Sequence, residues 1–122
     1  MARPRSFDED DVIDRATGAF GRLGYAACSV DDLVEATGLQ RGSLYKVFGS
    51  KRGLFEQVLR KALVADWHRS PAAIDLMITA LREMAGIDMP IATLCRSALA
   101  TYQGDAALLL GGRLLHHLPD RD

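Results

Sequence analysis

The alternation of apolar and polar residues follows the period of an α-helix along almost the whole chain. Acidic residues 8–11 open the first such segment, where negative charge stabilises a helix N-terminus, and Gly24 ends it. Its apolar face consists of Val12, Ile13, Ala16, Phe20 and Leu23. No segment has the sustained β-branched alternation that is typical of a strand. The pattern therefore predicts an all-α protein.

Three further helices are predicted before the middle of the chain. Ser29 and Asp32 have the spacing of a capping box, and Gly38 supplies the positive φ that a tight interhelical turn needs. A third helix is predicted over residues 40–47, and Ser50 caps a long fourth one. The buried face of that fourth helix is Leu54, Phe55, Val58, Leu59, Ala62 and Leu63. Two short helices joined by a glycine turn have the layout of a helix-turn-helix, which places one helix in the DNA major groove.

The second half of the chain is predicted to be helical but carries no recognisable motif. Pro71 is well placed in the first turn of a new helix, and Pro90 opens another. The leucine-rich segment 106–118 is a candidate for self-association, because so many leucines on one helix need a partner surface. We therefore expect a three-helix DNA-binding bundle over residues 1–50. A connecting helix and a short α-helical regulatory or dimerisation region would follow over residues 51–122.

The charge is distributed unevenly although the net charge is only −1. Residues 8–35 carry eight acidic and two basic side chains, whereas residues 40–61 carry six basic and one acidic. A local basic stripe favours an anionic partner such as nucleic acid. An ordinary solvated surface of mixed charge is the alternative interpretation. Arg3 and Arg5 are either part of a disordered tail or an arm that contacts the DNA minor groove or backbone.

Residues 37–55, with the sequence T-G-L-Q-R-G-S-L-Y-K-V-F-G-S-K-R-G-L-F, resemble the DNA-binding domain of TetR-family transcriptional regulators. The resemblance covers residues 3–64 and ends there. It implies a sequence-specific DNA-binding regulator, a repressor in most such proteins, that binds a near-palindromic operator as a dimer. It also implies release of DNA by a small-molecule effector that binds the C-terminal region.

The predicted third helix provides the candidate DNA-reading side chains. Leu44 and Phe48, four residues apart, are expected to pack the rear face of the helix into the core. That leaves Gln40, Arg41 and Ser43 to read bases. Arginine can form a bidentate pair with guanine, and glutamine can do so with adenine.

Contacts with DNA phosphates are predicted for Ser29, Tyr45, Lys46, Ser50 and Lys51. The resemblance implies this role for Tyr45 and Lys51. Ser29 and Ser50 cap helices whose first amide groups can point at phosphate. A half-buried structural aromatic is the alternative interpretation of Tyr45.

An effector pocket in the second half is a weaker hypothesis. Trp67, Met77 and Leu81 are the candidate lining residues for a small apolar effector, and ordinary core packing is the alternative. Trp67 and His68 are expected to form a partly exposed pair beyond the fourth helix.

Other functional classes find little support in the sequence. Neither the distant Cys28 and Cys95 nor the His116-His117 pair with Asp120 has the spacing of a metal site. No catalytic residue, metal or cofactor is predicted, so an enzyme is disfavoured. The expected location is cytoplasmic, without a signal peptide or a membrane partner. The main alternative is a truncated interaction protein that pairs with a full-length relative and does not bind DNA.

Overall fold

The computed structural model describes residues 7–120, which form seven α-helices, a short 3-10 helix and no strand. The α-helices are α1 (Glu9–Leu23), α2 (Val30–Thr37), α3 (Arg41–Phe48), α4 (Lys51–Ala62), α5 (Pro71–Glu83), α6 (Met89–Thr101) and α7 (Ala106–Leu115), and the 3-10 helix is Trp67–Arg69. The all-α prediction is confirmed. The predicted arm residues Arg3 and Arg5 lie outside the described residues.

Contacts divide the chain into two compact units, with the boundary between Val58 and Leu59 inside α4. We call these the first unit and the second unit. The boundary that the sequence predicts after residue 50 divides the chain by expected function, between a DNA-binding and a regulatory region. A boundary based on contacts does not test it, so it stays a prediction.

Local sequence signals set the ends of the helices in the first unit. The predicted capping box is present: Ser29 Oγ accepts from Asp32 N (3.0 Å), and Ser29 N donates to Asp32 Oδ2 (2.9 Å). Gly24 and Gly38 end α1 and α2 with φ angles of 85° and 76°, which only glycine adopts at little cost. Helix α3 starts at Arg41, one residue later than predicted, and Gln40 is its N-cap residue without a side-chain capping bond.

An aromatic cluster forms the centre of the first unit. Phe20 and Phe55 are fully buried and meet edge to face, with ring centroids 5.0 Å apart. Tyr25 contacts Phe55 at the same centroid distance. The surrounding core residues are Val12, Leu33, Leu44, Leu54 and Val58. Helix α3 contributes only Leu44 to the buried set, so the position of α3 depends strongly on one side chain.

In the second unit, α5 contacts the 3-10 helix, α6 and α7. Trp67 is only 1% exposed, and its Nε1 donates to the carbonyl oxygen of Ala98 on α6 (3.0 Å). The prediction of a partly exposed Trp67 is therefore wrong, because the buried indole N–H finds a hydrogen-bond acceptor inside the fold. His68 is half-buried, as expected, and the centroids of the His68 and Tyr102 rings lie 5.0 Å apart.

Helix α7 has no buried residue and is joined to α5 by an ion pair. Asp75 on α5 accepts two hydrogen bonds from Arg113 on α7, at 2.8 and 2.9 Å. Both side chains are largely covered, with 16% and 21% of their surface exposed. His117 Nε2 lies 3.4 Å from Asp75 Oδ1. Charge-assisted bidentate pairs of this kind are stronger than neutral hydrogen bonds, so Asp75 and Arg113 are the main polar link between α7 and α5.

This link makes part of the stability of the second unit dependent on pH. The hydrogen bonds from Arg113 lower the pKa of Asp75 in the folded protein. The pair therefore stabilises fully above the unfolded carboxyl pKa of about 3.9 and loses its effect as the pH falls through the lower folded pKa. We expect Asp75→Asn to lower the free energy of unfolding at pH 7 and to cost progressively less below about pH 4.

The measurement is urea unfolding followed by the fluorescence of Trp67, the single tryptophan of the chain, which lies in the second unit. The matched control is Asp120→Asn, which changes an exposed aspartate of the second unit. A stability difference between wild type and Asp75→Asn that stays constant from pH 7 to pH 3 would contradict the assignment.

Among residues 7–120, no helix has the length and apolar character needed to cross a membrane.

Candidate nucleic-acid interface

Helices α2 and α3 are joined by a turn that the structure fixes with a side chain as well as with glycine. Gly38 adopts the left-handed conformation, with φ 76° and ψ 2°. Thr37 is buried, and its Oγ1 donates to Leu33 O (2.7 Å) and accepts from Leu39 N (3.2 Å). The hydroxyl therefore bridges the end of α2 and the residue beyond the turn. Sequence reasoning missed this role of Thr37, although a threonine directly before the turn glycine was a usable signal.

The faces of α3 follow from the helical rotation of about 100° per residue. Leu44 is 1% exposed and defines the inward face. Lys46 lies nearly opposite to it and is exposed. Arg41 and Tyr45 share one flank, and Ser43 lies on the other. The outward side of α3 is therefore polar and carries a positive charge at its centre.

The side chains predicted to read bases are accessible at the start of α3. Gln40, Arg41 and Ser43 are all exposed. Arg41 also pairs with α2, because its Nη2 lies 3.5 Å from Asp31 Oδ1. Tyr45 is half-buried, which fits either a phosphate contact by its hydroxyl group or the structural alternative.

Lys51, predicted to contact phosphate, has an intramolecular role at the first turn of α4. Its Nζ donates to the carbonyl oxygens of Tyr25 (3.0 Å) and Cys28 (3.1 Å) and lies 4.4 Å from the centre of the Tyr25 ring. An ammonium has three N–H groups, so one is left for another acceptor. Lys51 therefore ties the α1–α2 connection to α4, and its phosphate contact stays a prediction.

The two serines predicted near phosphate both cap helices. Ser29 Oγ accepts within the capping box, and Ser50 Oγ accepts from Gly53 N at 2.9 Å. In both cases the serine oxygen accepts, so its O–H is left to donate to a phosphate, which can also meet the free backbone amides of these helix ends. The hydrogen bond from Ser29 N lowers the pKa of Asp32, so the start of α2 already holds a carboxylate at neutral pH.

A cleft of about 750 Å³ separates the start of α1 from α3 and α4. Ser43, Lys46 and Phe48 line it from α3. Arg52 and Glu56 line it from α4 and form an ion pair of 2.8 Å. Phe48 is only half-buried because it borders this cleft, so its predicted place in the core is only partly correct.

The second unit has a smaller cavity of about 460 Å³ at the 3-10 helix and α6. Polar groups of Asp66, His68 and Thr101 line it together with apolar side chains such as Leu63 and Leu94.

The three predicted ligand-lining residues occupy different environments. Trp67 and Met77 are fully buried, whereas Leu81 is 37% exposed. None of the three lines the cavity of about 460 Å³. Their role in ligand binding is not tested by this placement and stays a prediction.

Both cysteines are free thiols in the interior. Burial raises the pKa of Cys28 and raises that of Cys95 to about 11, so both are protonated at neutral pH. Among the described residues, no group of three or more histidine, cysteine, aspartate or glutamate side chains is arranged to hold a metal ion.

A short helix with a buried Leu44 and a polar outward side, preceded by a glycine turn, has the layout of a helix-turn-helix. Comparison with known proteins agrees with this class. Residues 12–58 match the family model described as bacterial regulatory proteins, tetR family. These residues are therefore similar to the TetR family, in agreement with the sequence resemblance.

Three relatives illustrate the extent of the similarity. The HTH-type transcriptional repressor ComR of Escherichia coli (strain K12) is 49% identical over 57 residues, which are 47% of this chain and 27% of ComR. The repressor BdcR of the same strain is 41% identical over 59 residues, which are 48% of this chain and 30% of BdcR. The repressor KstR2 of Rhodococcus jostii (strain RHA1) is 28% identical over 90% of this chain and 55% of KstR2.

The matched part thus spans between about a quarter and about half of each of these relatives. The KstR2 alignment covers 90% of this chain and so extends into the second unit, where the sequence contained no recognisable motif. No solved structure matches the chain.

Proposed function

We propose that the protein is a sequence-specific DNA-binding transcriptional repressor that uses α3 as its recognition helix. The observation that carries this proposal is the exposed polar side of α3, which Leu44 holds from behind. Lys46 at the centre of that side approaches the DNA backbone, while Gln40, Arg41 and Ser43 read base edges in the major groove. The names of ComR, BdcR and KstR2 as repressors support this direction of regulation.

The protein acts as a homodimer on a near-palindromic operator in this proposal. Two recognition helices would enter major grooves about 34–36 Å apart on one side of the duplex. The segment 106–118, which includes α7, is the candidate dimer element, because its Leu108, Leu115 and Leu118 are 73%, 67% and 67% exposed. Exposed leucines in this number favour burial against a partner surface.

A small-molecule effector that releases the DNA is the final part of the proposal. The cavity of about 460 Å³ in the second unit is large enough for a small ligand, and it combines apolar walls with a few polar groups. Asp66, His68 and Thr101 would fix the orientation of such a ligand.

The test begins with selection of binding sites from random DNA by the full chain. The selected duplex is then titrated at several salt concentrations. We expect a near-palindromic site and a log affinity that falls with log salt by about 0.9 for each phosphate neutralised. Arg41→Ala should weaken discrimination between the selected and a scrambled duplex by about 5- to 150-fold, because it removes a base contact. Tyr45→Ala should weaken both complexes, because it removes a backbone contact.

Arg96→Ala is the matched control, since Arg96 is an exposed arginine on α6 of the second unit. It should leave both affinities unchanged. If Arg41→Ala and Tyr45→Ala also leave DNA binding unchanged, α3 is not the recognition helix. A dimeric wild-type protein that binds no duplex at low salt would instead favour the interaction-protein alternative.

A further inference from the structure

We propose that Asp31 is a specificity-determining residue that positions Arg41 for base reading. Asp31 lies in the first turn of α2, and its Oδ1 is 3.5 Å from Arg41 Nη2 at the start of α3. The two side chains are 90% and 61% exposed, and Arg41 is itself one of the candidate base-reading residues. This inference rests on the proposed function, because it assigns a role within the DNA interface.

The pair has little value for the fold itself. Ion pairs between solvent-exposed side chains contribute almost nothing to stability in water. The capping box of Ser29 and Asp32 already fixes the start of α2, and Leu44 already holds α3. A carboxylate at this position is also unfavourable for simple attraction to DNA, because it repels phosphate. As an acidic residue in the first turn of α2, Asp31 also suits the helix N-terminus, but that role needs no arginine partner. The pairing itself acts on the behaviour of Arg41.

A free arginine beside DNA binds phosphate readily, and phosphate is the same at every nucleotide. Asp31 opposes that outcome in two ways. It lowers the positive potential around Arg41, and it repels a phosphate that approaches the same place. A guanidinium has five N–H donors, so a contact with one carboxylate oxygen leaves others for a bidentate contact with a guanine edge. Asp31 thus lowers general affinity for DNA and raises the preference for the correct sequence.

The experiment compares wild type with Asp31→Asn on the selected duplex and on a scrambled duplex of the same composition. We expect Asp31→Asn to bind the scrambled duplex more tightly, with a salt slope steeper by about 0.9, because Arg41 becomes free to neutralise one more phosphate. The ratio of the two affinities should fall by about tenfold, which is within the range for one base contact.

Two further variants separate positioning from general electrostatics. In an Arg41→Ala background, Asp31→Asn should no longer change the affinity ratio, since the residue that Asp31 positions is absent. Asp11→Asn is the matched control, because Asp11 is an exposed aspartate of the first unit that pairs with Arg15 at 2.9 Å on α1. It should leave the affinity ratio unchanged. Far-UV circular dichroism confirms that each variant keeps its helices.

The outcomes distinguish this inference from the proposed function. If the ratio of the two affinities for Asp31→Asn equals that of wild type, even when both complexes become tighter, Asp31 does not position Arg41. Only this inference then fails. If Asp31→Asn lowers the ratio equally in the Arg41→Ala background, Asp31 acts without Arg41 and the inference again fails. If wild type binds neither duplex, the DNA-binding proposal fails and this inference fails with it.

Discussion

Leu44→Ala is expected to lower the free energy of unfolding by about 2–5 kcal/mol, the usual cost of truncating a fully buried leucine. Leu44 is 1% exposed and is the only residue of α3 in the buried core of the first unit. Its loss should therefore loosen α3 more than α1, whose buried residues number five. DNA affinity should fall as well, although Leu44 points away from the proposed interface. Binding to DNA would have to order α3 again. Each loss of about 1.4 kcal/mol of binding free energy to this ordering lowers the affinity tenfold.

Urea unfolding followed by circular dichroism at 222 nm measures the first effect, because Trp67 fluorescence reports on the second unit. Titration with the selected duplex measures the second effect. The matched control is Val47→Ala, which shortens a half-buried side chain of the same helix and should cost much less. Equal losses in the two variants would show that Leu44 is not the main anchor of α3.

Gly53→Ala is expected to lower the free energy of unfolding by about 1–3 kcal/mol, the range for overpacking a tight site. A Cβ atom at residue 53 would overlap with the backbone carbonyl oxygen of Phe48, the last residue of α3. A backbone atom cannot rotate away as a side chain can. The turn between α3 and α4 would have to open, and the bond from Gly53 N to Ser50 Oγ would be disturbed. Without this overlap, alanine would stabilise the helix by about 1 kcal/mol relative to glycine. A loss of stability in Gly53→Ala would therefore indicate the close approach of residue 53 to the Phe48 carbonyl.

Gly18→Ala is the matched control, because it makes the same chemical change inside another helix of the first unit. A Cβ atom at residue 18 would meet no neighbouring atom within 4 Å. We therefore expect this variant to be more stable than wild type by about 0.5–1 kcal/mol, from helix propensity alone. Urea unfolding by circular dichroism should show opposite shifts for the two variants. A gain of stability in Gly53→Ala would rule out the close approach to Phe48.

The features that the sequence predicted correctly depend on residues a few positions apart. The capping box joins Ser29 to Asp32, and the left-handed turn needs only Gly38. The burial of Leu44 agrees with helical spacing, although Phe48 at the same spacing is only half-buried. Pro71 begins α5, because its fixed φ and missing N–H suit the first turn of a helix. Such signals lie in the local sequence, so they can be read without a fold.

The features that the sequence did not predict join residues that are far apart along the chain. Lys51 donates hydrogen bonds to carbonyl groups 26 and 23 residues earlier in the chain. The periodicity of side chains does not indicate where the backbone carbonyl groups of a loop point. Arg113 reaches Asp75 across 38 residues. The sequence predicts a partly exposed Trp67, because nothing in it indicates that Ala98 O accepts from the indole N–H. These contacts depend on how the helices pack, which periodicity does not specify.

The single fully buried side chain of α3 has a consequence for how this protein can evolve. Gln40, Arg41, Ser43 and Lys46 are exposed, and none of them belongs to the buried core that Leu44 joins. Substitutions at exposed helix positions usually change stability by less than about 0.5 kcal/mol. If α3 reads DNA as proposed, its target sequence can therefore drift through these positions while the scaffold stays intact. A new operator and its regulator could then arise together in small steps, each of which leaves a folded protein.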